Sequence, residues 1–187
     1  MPAIRMNHLW RSFVLDSNKY SLQCIFQDSY YDLFQYGMRI TANPEDVKDS
    51  IQDLFVNLWM YKNSLAAEVN VKAYLLISLK HQLSRIRSKT QFDLLTEDLE
   101  QLLQTPEMEY GLDPGVREMV ILKVNALPSR QKEILYLKYF ESLTYEEIAQ
   151  VLNIKYQSVV NQAFRAVSKL RQDQQLHDLA ILRINWS

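Results

Sequence analysis

The chain has 187 residues, 48% of them hydrophobic, and a formal charge of −1, so it is long enough for one large domain or two small ones with real cores. Its single cysteine, Cys24, excludes a disulfide framework and points to a reducing compartment. Three Gly and five Pro among many Leu, Gln, Glu, Lys and Arg favour an all-α fold, because those long side chains lose little rotamer freedom in a helix.

The N-terminal stretch MPAIRMNHLWRSF has no uninterrupted apolar run of signal-peptide length, and no membrane-spanning run follows; the expectation is a cytoplasmic protein. Residues 8–41 read as one short and one long helix rich in aromatics. Asn43-Pro44-Glu45-Asp46 is a helix start, with an N-cap, a first-turn proline and acids at the positive end of the dipole. The helix it opens runs to about Tyr61, with Val47, Ile51, Leu54, Phe55 and Leu58 as its apolar stripe. A further helix spans about 70–89, with Leu75, Leu79, Leu83 and Ile86 on one face. From Thr90 to Gly115 the periodicity degrades into an acidic linker, with a short helix expected near 96–104. Helices follow at about 116–126, 129–141, 144–152 and 156–171, then a tail ending in HDLAILRINWS. The expected architecture is two small helical domains, 1–90 and 116–172, joined by the linker 91–115 and followed by the tail 173–187.

Charge is unevenly divided along these segments. Residues 69–92 carry five basic side chains and no acidic ones (+5), 93–118 carry one and eight (−7), and 119–171 carry eight and four (+4). The mild total is a cancellation, and a local positive surface is what a polyanion meets, since fields are screened within about 8–10 Å. A solvated helix face would give the same +5.

The stretch LTYEEIAQVLNIKYQSVVNQAFRAVSKL has the form of a helix-turn-helix. Thr144-x-x-Glu147 is a capping box, Ala149 permits close helix approach, and Asn153 tolerates the left-handed conformation a sharp turn needs. In the last helix Val159, Ala163, Val167 and Leu170 form the buried side, which leaves Gln157, Ser158, Asn161, Gln162 and Arg165 outward. Gln and Asn can pair with adenine, Arg with guanine, and Ser with either, while Lys155, Lys169 and Arg171 suit phosphates. Tyr156 either stacks beside a nucleic-acid backbone or covers the turn. Upstream, Asp49, Gln52, Asp53, Val56 and Trp59 place carboxylates, an amide and apolar groups on the outer side of one helix. That mixture suits a protein interface, with Trp59 either an anchor there or part of the domain's own core.

The chain resembles the sigma factors of bacterial RNA polymerase in their small, two-domain extracytoplasmic-function (ECF) form. The resemblance lies in YYDLFQYGMRITANPEDVKDSIQDLFVNLW, in VKAYLLISLKHQLSRIR and in ALPSRQKEILYLKYFESLTYEEIAQVLNIKYQSVVNQAFRAVSKLR, in the family's order and spacing. Its most specific parts are Asp49-x-x-Gln52-x-x-Phe55-x-x-x-Trp59 and the Leu-Pro…Glu-Glu-Ile-Ala pattern; the wording YG…IT…D…IQDLF is similar to versions found in Bacteroidetes. The resemblance implies a sigma region-2-like domain, and a region-4-like helix-turn-helix domain of winged-helix-like four-helix type. It implies docking of Asp49, Gln52, Asp53, Phe55, Val56 and Trp59 on core polymerase. The minus-ten DNA would lie along Tyr74, Lys80, His81, Arg85, Arg87 and Lys89. The minus-thirty-five DNA would be read by Lys155, Tyr156, Gln157, Ser158, Asn161, Gln162, Arg165 and Lys169. It further implies a linker that threads toward the polymerase channels, a membrane-associated anti-sigma factor, and a monomer when free or held by that factor.

His81 and Arg85 stand where many family members have Asn and Asp, and Val160 and Gln162 replace residues that are commonly basic, so the family's base preferences do not carry over. The rival reading is a stand-alone helix-turn-helix regulator that does not bind core polymerase. An enzyme is not expected: His8, His81 and His177 are scattered, and no metal-ligand, phosphate-loop or nucleophile motif occurs. No cofactor and no small-molecule substrate are implied.

Overall fold

The computed structural model describes residues 3–86, 92–94, 98 and 114–171. The chain forms two compact units, residues 1–91 with 150–153 and residues 92–149 with 154–187. All regular structure among the described residues is helical, and no helix among them is long and apolar enough to cross a membrane.

The first unit holds α1 (Ala3–Asp16), α2 (Lys19–Ile40), α3 (Pro44–Met60), a short 3-10 turn (Lys62–Ser64) and α4 (Val71–Ile86). α2, α3 and α4 each start on an asparagine. Asn18 Oδ1 accepts from the Ser21 N–H at 3.2 Å, Asn43 Oδ1 from Glu45 at 3.1 Å, and Asn70 Oδ1 from Ala73 at 2.9 Å. Each bond satisfies an amide that the first helical turn leaves without a partner. The predicted stripe of α3 is buried throughout, and it packs against α2 and α4. α2 and α3 approach so closely at Gly37 that a Cβ there would lie 2.5 Å from Val47 Cγ1. Trp10 and Phe13 of α1 close the core, and the Trp10 indole N–H donates to the Ala66 carbonyl at 2.9 Å, which fixes the loop before α4. On α4, Leu75, Leu79 and Leu83 are buried as expected, whereas Ile86 is 54% exposed.

The second unit holds α5 (Pro114–Asn125), α6 (Ser129–Tyr139), α7 (Tyr145–Leu152) up to Ala149, and α8 (Tyr156–Arg171). α6 is its centre: every residue from Lys132 to Leu137 is buried, and α8 packs along it with Val159, Ala163, Ala166, Val167 and Leu170. Residues 92–94, placed by the sequence in the linker, belong to this unit, with Phe92 and Leu94 buried. Periodicity misses them because three residues carry no helical repeat. Of the short helix expected near 96–104, only Asp98 is described, and it is helical; the tail 173–187 lies outside the described residues.

Candidate nucleic-acid and protein interfaces

In the second unit the capping box forms as the sequence requires. The Thr144 N–H donates to Glu147 Oε2 at 2.7 Å and the Glu147 N–H donates to Thr144 Oγ1 at 3.2 Å. α7 then ends in a left-handed residue, Asn153 (φ 51°). The Ile154 N–H reaches back to the Ala149 carbonyl and the Asn153 N–H to that of Gln150, the paired bonds of a Schellman turn. This turn sets where α8 begins.

α8 presents Gln157, Asn161 and Arg165 to solvent, with Ser158 and Gln162 half-buried at the margin. The Gln157 side-chain amide donates to Asn161 Oδ1 at 3.2 Å, so these two outward side chains are braced one turn apart. Lys155 and Lys169 are exposed at the two ends, Lys169 within 3.4 Å of the Ala126 carbonyl. Tyr156 is 47% exposed. The phenol of Tyr145 is pushed up from its ordinary pKa first by burial and then by nearby Tyr156, so it stays neutral at physiological pH. One residue escaped the sequence reading. Phe164 is 58% exposed, three positions beyond Asn161 and seven beyond Gln157, on the same face. An outward aromatic on a base-reading helix suits the thymine methyl group; the signal available was its place in the outward register.

In the first unit α3 turns Asp49, Gln52, Asp53, Val56 and Asn57 outward, and Val56, Trp59 and Met60 are 49%, 38% and 66% exposed. Trp59 has two roles at once. One side stacks on Phe13 with ring centroids 6.4 Å apart, and Lys62 Nζ sits 3.8 Å from the centre of its ring. Phe55 departs from the expected docking set: it is buried, with its ring edge-on to Phe26 at 5.0 Å. It holds α3 in place from behind and does not present a surface.

On α4, His81 and Arg85 are exposed and Lys80 half-buried. Arg87 and Lys89 lie outside the described residues. Tyr74, expected to lie along the minus-ten DNA, is half-buried with its ring 5.2 Å from Trp10. It instead helps line a cavity of about 200 Å³ between α3 and α4, with Asn57, Tyr61, Ser78 and Gln82 as its polar groups and Leu54, Leu58 and Leu65 as its apolar ones. Sequence spacing did not assemble this set, because it draws on two helices and the loop between them. Among the described residues no cluster of His, Cys, Asp or Glu is placed to hold a metal ion.

Residues 113–170, the stretch that contains the helix-turn-helix, match the family Sigma-70, region 4. Over the greater part of its length the chain is similar to RNA polymerase sigma factor YlaC of Bacillus subtilis (strain 168), 26% identical over 159 residues that cover 82% of this chain and 91% of that protein. In fold it is similar to CnrH, solved in complex with the cytosolic domain of CnrY, with a TM-score of 0.59 at 18% identity over 89% of this chain and 96% of that one. It is also similar in fold to the sigma factor RpoE of Bartonella quintana, solved with the anti-sigma factor NepR, with a TM-score of 0.53 at 17% identity over 80% and 94% of the two chains.

Proposed function

We propose that the chain is a sigma factor of the ECF group, which binds core RNA polymerase and directs it to specific promoters. The observation that carries this reading is the region 4 match over a helix-turn-helix whose outward face holds Gln157, Asn161 and Arg165. A helix-turn-helix regulator acting alone leaves the acidic and aromatic face of α3 without a use, and the similarity to a sigma factor extends over 82% of the chain. The Bacteroidetes-type wording of the first domain belongs to the same proposal as a statement of origin.

In this reading Asp49, Gln52, Asp53, Val56 and Trp59 dock on core polymerase, with the carboxylates orienting and Trp59 anchoring. Lys80, His81 and Arg85, with Arg87 and Lys89, attract the minus-ten strand. The adjoining cavity, walled by Tyr61 and Tyr74 and lined by Asn57, Ser78 and Gln82, suits an unstacked base. Lys155, Tyr156 and Lys169 hold backbone while Gln157, Ser158, Asn161, Gln162 and Arg165 face the minus-thirty-five bases. No catalytic step is assigned to this chain; polymerase performs the chemistry. Core polymerase and promoter DNA set its place of work in the cytoplasm. A membrane-associated anti-sigma factor would hold it as a monomer between rounds.

The test is promoter-directed transcription with purified core polymerase. The chain is expected to comigrate with core and to support initiation on a promoter of its host. Asp53→Arg should abolish comigration while leaving the helical content intact. Duplex binding by the free chain as tight and specific as that of the polymerase complex would overturn the reading in favour of the lone regulator.

A further inference from the structure

The cavity between α3 and α4 has a support that is no part of its lining. Two of its walls, Leu65 and Tyr74, come from the loop after α3 and the first turn of α4, and α1 holds both. The Trp10 indole N–H donates at 2.9 Å to the carbonyl of Ala66, the residue after Leu65. The same indole ring lies 5.2 Å from the ring of Tyr74 and 5.9 Å from that of Phe13. One position on, Arg11 Nη1 meets Glu68 Oε1 at 2.8 Å. Ala66 and Glu68 are themselves exposed, so burial does little to place them. Trp10, at 1% exposure, is buried in the core, and its N–H gives the loop a rigid point of attachment.

We infer that Trp10 is a positioning residue for base recognition: through Ala66 and Tyr74 it sets the walls of the cavity, and so decides how sharply one unstacked base is told from another. This role rests on the proposed seating of a minus-ten base in the cavity. At about 200 Å³ the cavity falls below the range of about 300–1,000 Å³ typical for drug-sized ligands, so one planar ring system suits it and a small movement of a wall alters the fit. Its polar groups on α3 and α4, Asn57, Ser78 and Gln82, discriminate only when the base is held against them to within about 0.5 Å. Leu65 and Tyr74 hold it there, Tyr74 as the stacking face. Tryptophan meets both demands of the site, with a ring that backs Tyr74 and a donor that reaches Ala66. Phenylalanine would meet only the first. Without the donor, the Ala66 carbonyl turns to water, which its exposed position allows, and the loop shifts at small cost to folding. Base choice then changes although no group facing the base has been altered.

The experiment is promoter-directed transcription by the full chain with core polymerase, on promoters substituted base by base across the minus-ten element. Ser78→Ala marks the position that the cavity reads, because Ser78 lines it. Trp10→Phe is expected to lower the preference at that position by about fivefold, the worth of one hydrogen bond, and to leave the other positions within about twofold. Val47→Ala, about two turns before Leu54 on α3, controls for a weakened fold; it should lower output on all promoters in proportion. A Trp10→Phe protein that does the same, or that keeps its preference at the marked position, overturns the inference. Glu68→Ala loosens the same loop from outside, where the side chain is 74% exposed, and should blunt the same preference without a change in melting temperature. Should Trp10→Phe not fold, an unchanged preference in Glu68→Ala overturns the inference. If Ser78→Ala shifts no position, the cavity seats no base and the inference falls while the sigma-factor reading stands. If the unaltered chain fails to initiate with core, both fall.

Discussion

Two residues illustrate how a glycine-poor chain meets backbone demands. At Gly37 the requirement is space: an added Cβ would stand 2.5 Å from Val47 Cγ1, so α2 and α3 must separate to admit it. Gly37→Ala should destabilise the first unit by about 1–3 kcal/mol through overpacking, and Val47→Ala in the same chain should recover part of that loss; urea unfolding followed by Trp fluorescence reads both. At Asn153 the requirement is conformational. With φ at 51°, this residue ends α7 in the left-handed region, as Ser17 and Ser142 do after α1 and α6. Asn153→Ala should cost about 1 kcal/mol, because a β-carbon is strained there, whereas Asn153→Gly should be neutral or stabilising. Thermal melting of the three proteins checks the order. Asn153 was legible in the sequence, since it follows an apolar-periodic helix opened by a capping box. Ser17 and Ser142 were not, because serine carries no such preference for the left-handed region.

At the scale of elements, helix starts and apolar stripes were read well because they depend on local chemistry. Asn43 with Pro44 opens α3, the Thr144–Glu147 pair opens α7, and the stripes of α3 and α8 are buried as their spacing demands. Tyr74 was drawn against Trp10 of α1, a partner that the spacing of α4 alone does not show. Phe55 lies inward, edge-on to Phe26, as its place in the stripe requires; it is the docking role implied by the resemblance that its burial does not suit. The outward face of α8 follows from the helical spacing, and of its exposed residues Phe164 was not named. Phe164→Ala should weaken binding of the polymerase complex to one thymine-bearing position by about 1 kcal/mol, the scale of a buried methyl group. Because the side chain is 58% exposed, the melting temperature should barely change. Competition among promoter variants substituted base by base would locate the position, and a uniform loss at all bases would show that Phe164 does not read sequence. Trp59→Ala belongs to the same scale. It should lower stability by about 1 kcal/mol through the lost contact with Phe13, while core polymerase binding falls much further; a loss of folding equal to the loss of binding would make Trp59 a core residue only.

For the molecule as a whole the decisive quantity is the arrangement of charge and not its total. Segments of +5 and +4 flank residues 93–118 at −7, so an acidic stretch lies in sequence between two basic ones. Attraction and repulsion on one chain offset each other wherever the opposite charges lie within about a Debye length. Neutralising phosphates supplies most of the sequence-independent affinity of any DNA-binding protein, and an acidic stretch on the same chain would lower it. Replacing Glu97, Glu100, Glu107 and Glu109 by Gln removes four negative charges without touching either DNA-facing helix. The altered chain should bind nonspecific duplex at least about tenfold more tightly than the original at low salt, with a steeper dependence on salt concentration. Promoter selection should suffer in the same chain, because tighter binding to any duplex raises the competition from nonspecific sites. Fluorescence anisotropy across a salt series measures the first effect, and transcription in the presence of competitor DNA measures the second. An unchanged affinity at low salt would mean that the acidic stretch does not oppose the basic surfaces, and that the near-neutral total has no bearing on when the chain meets DNA.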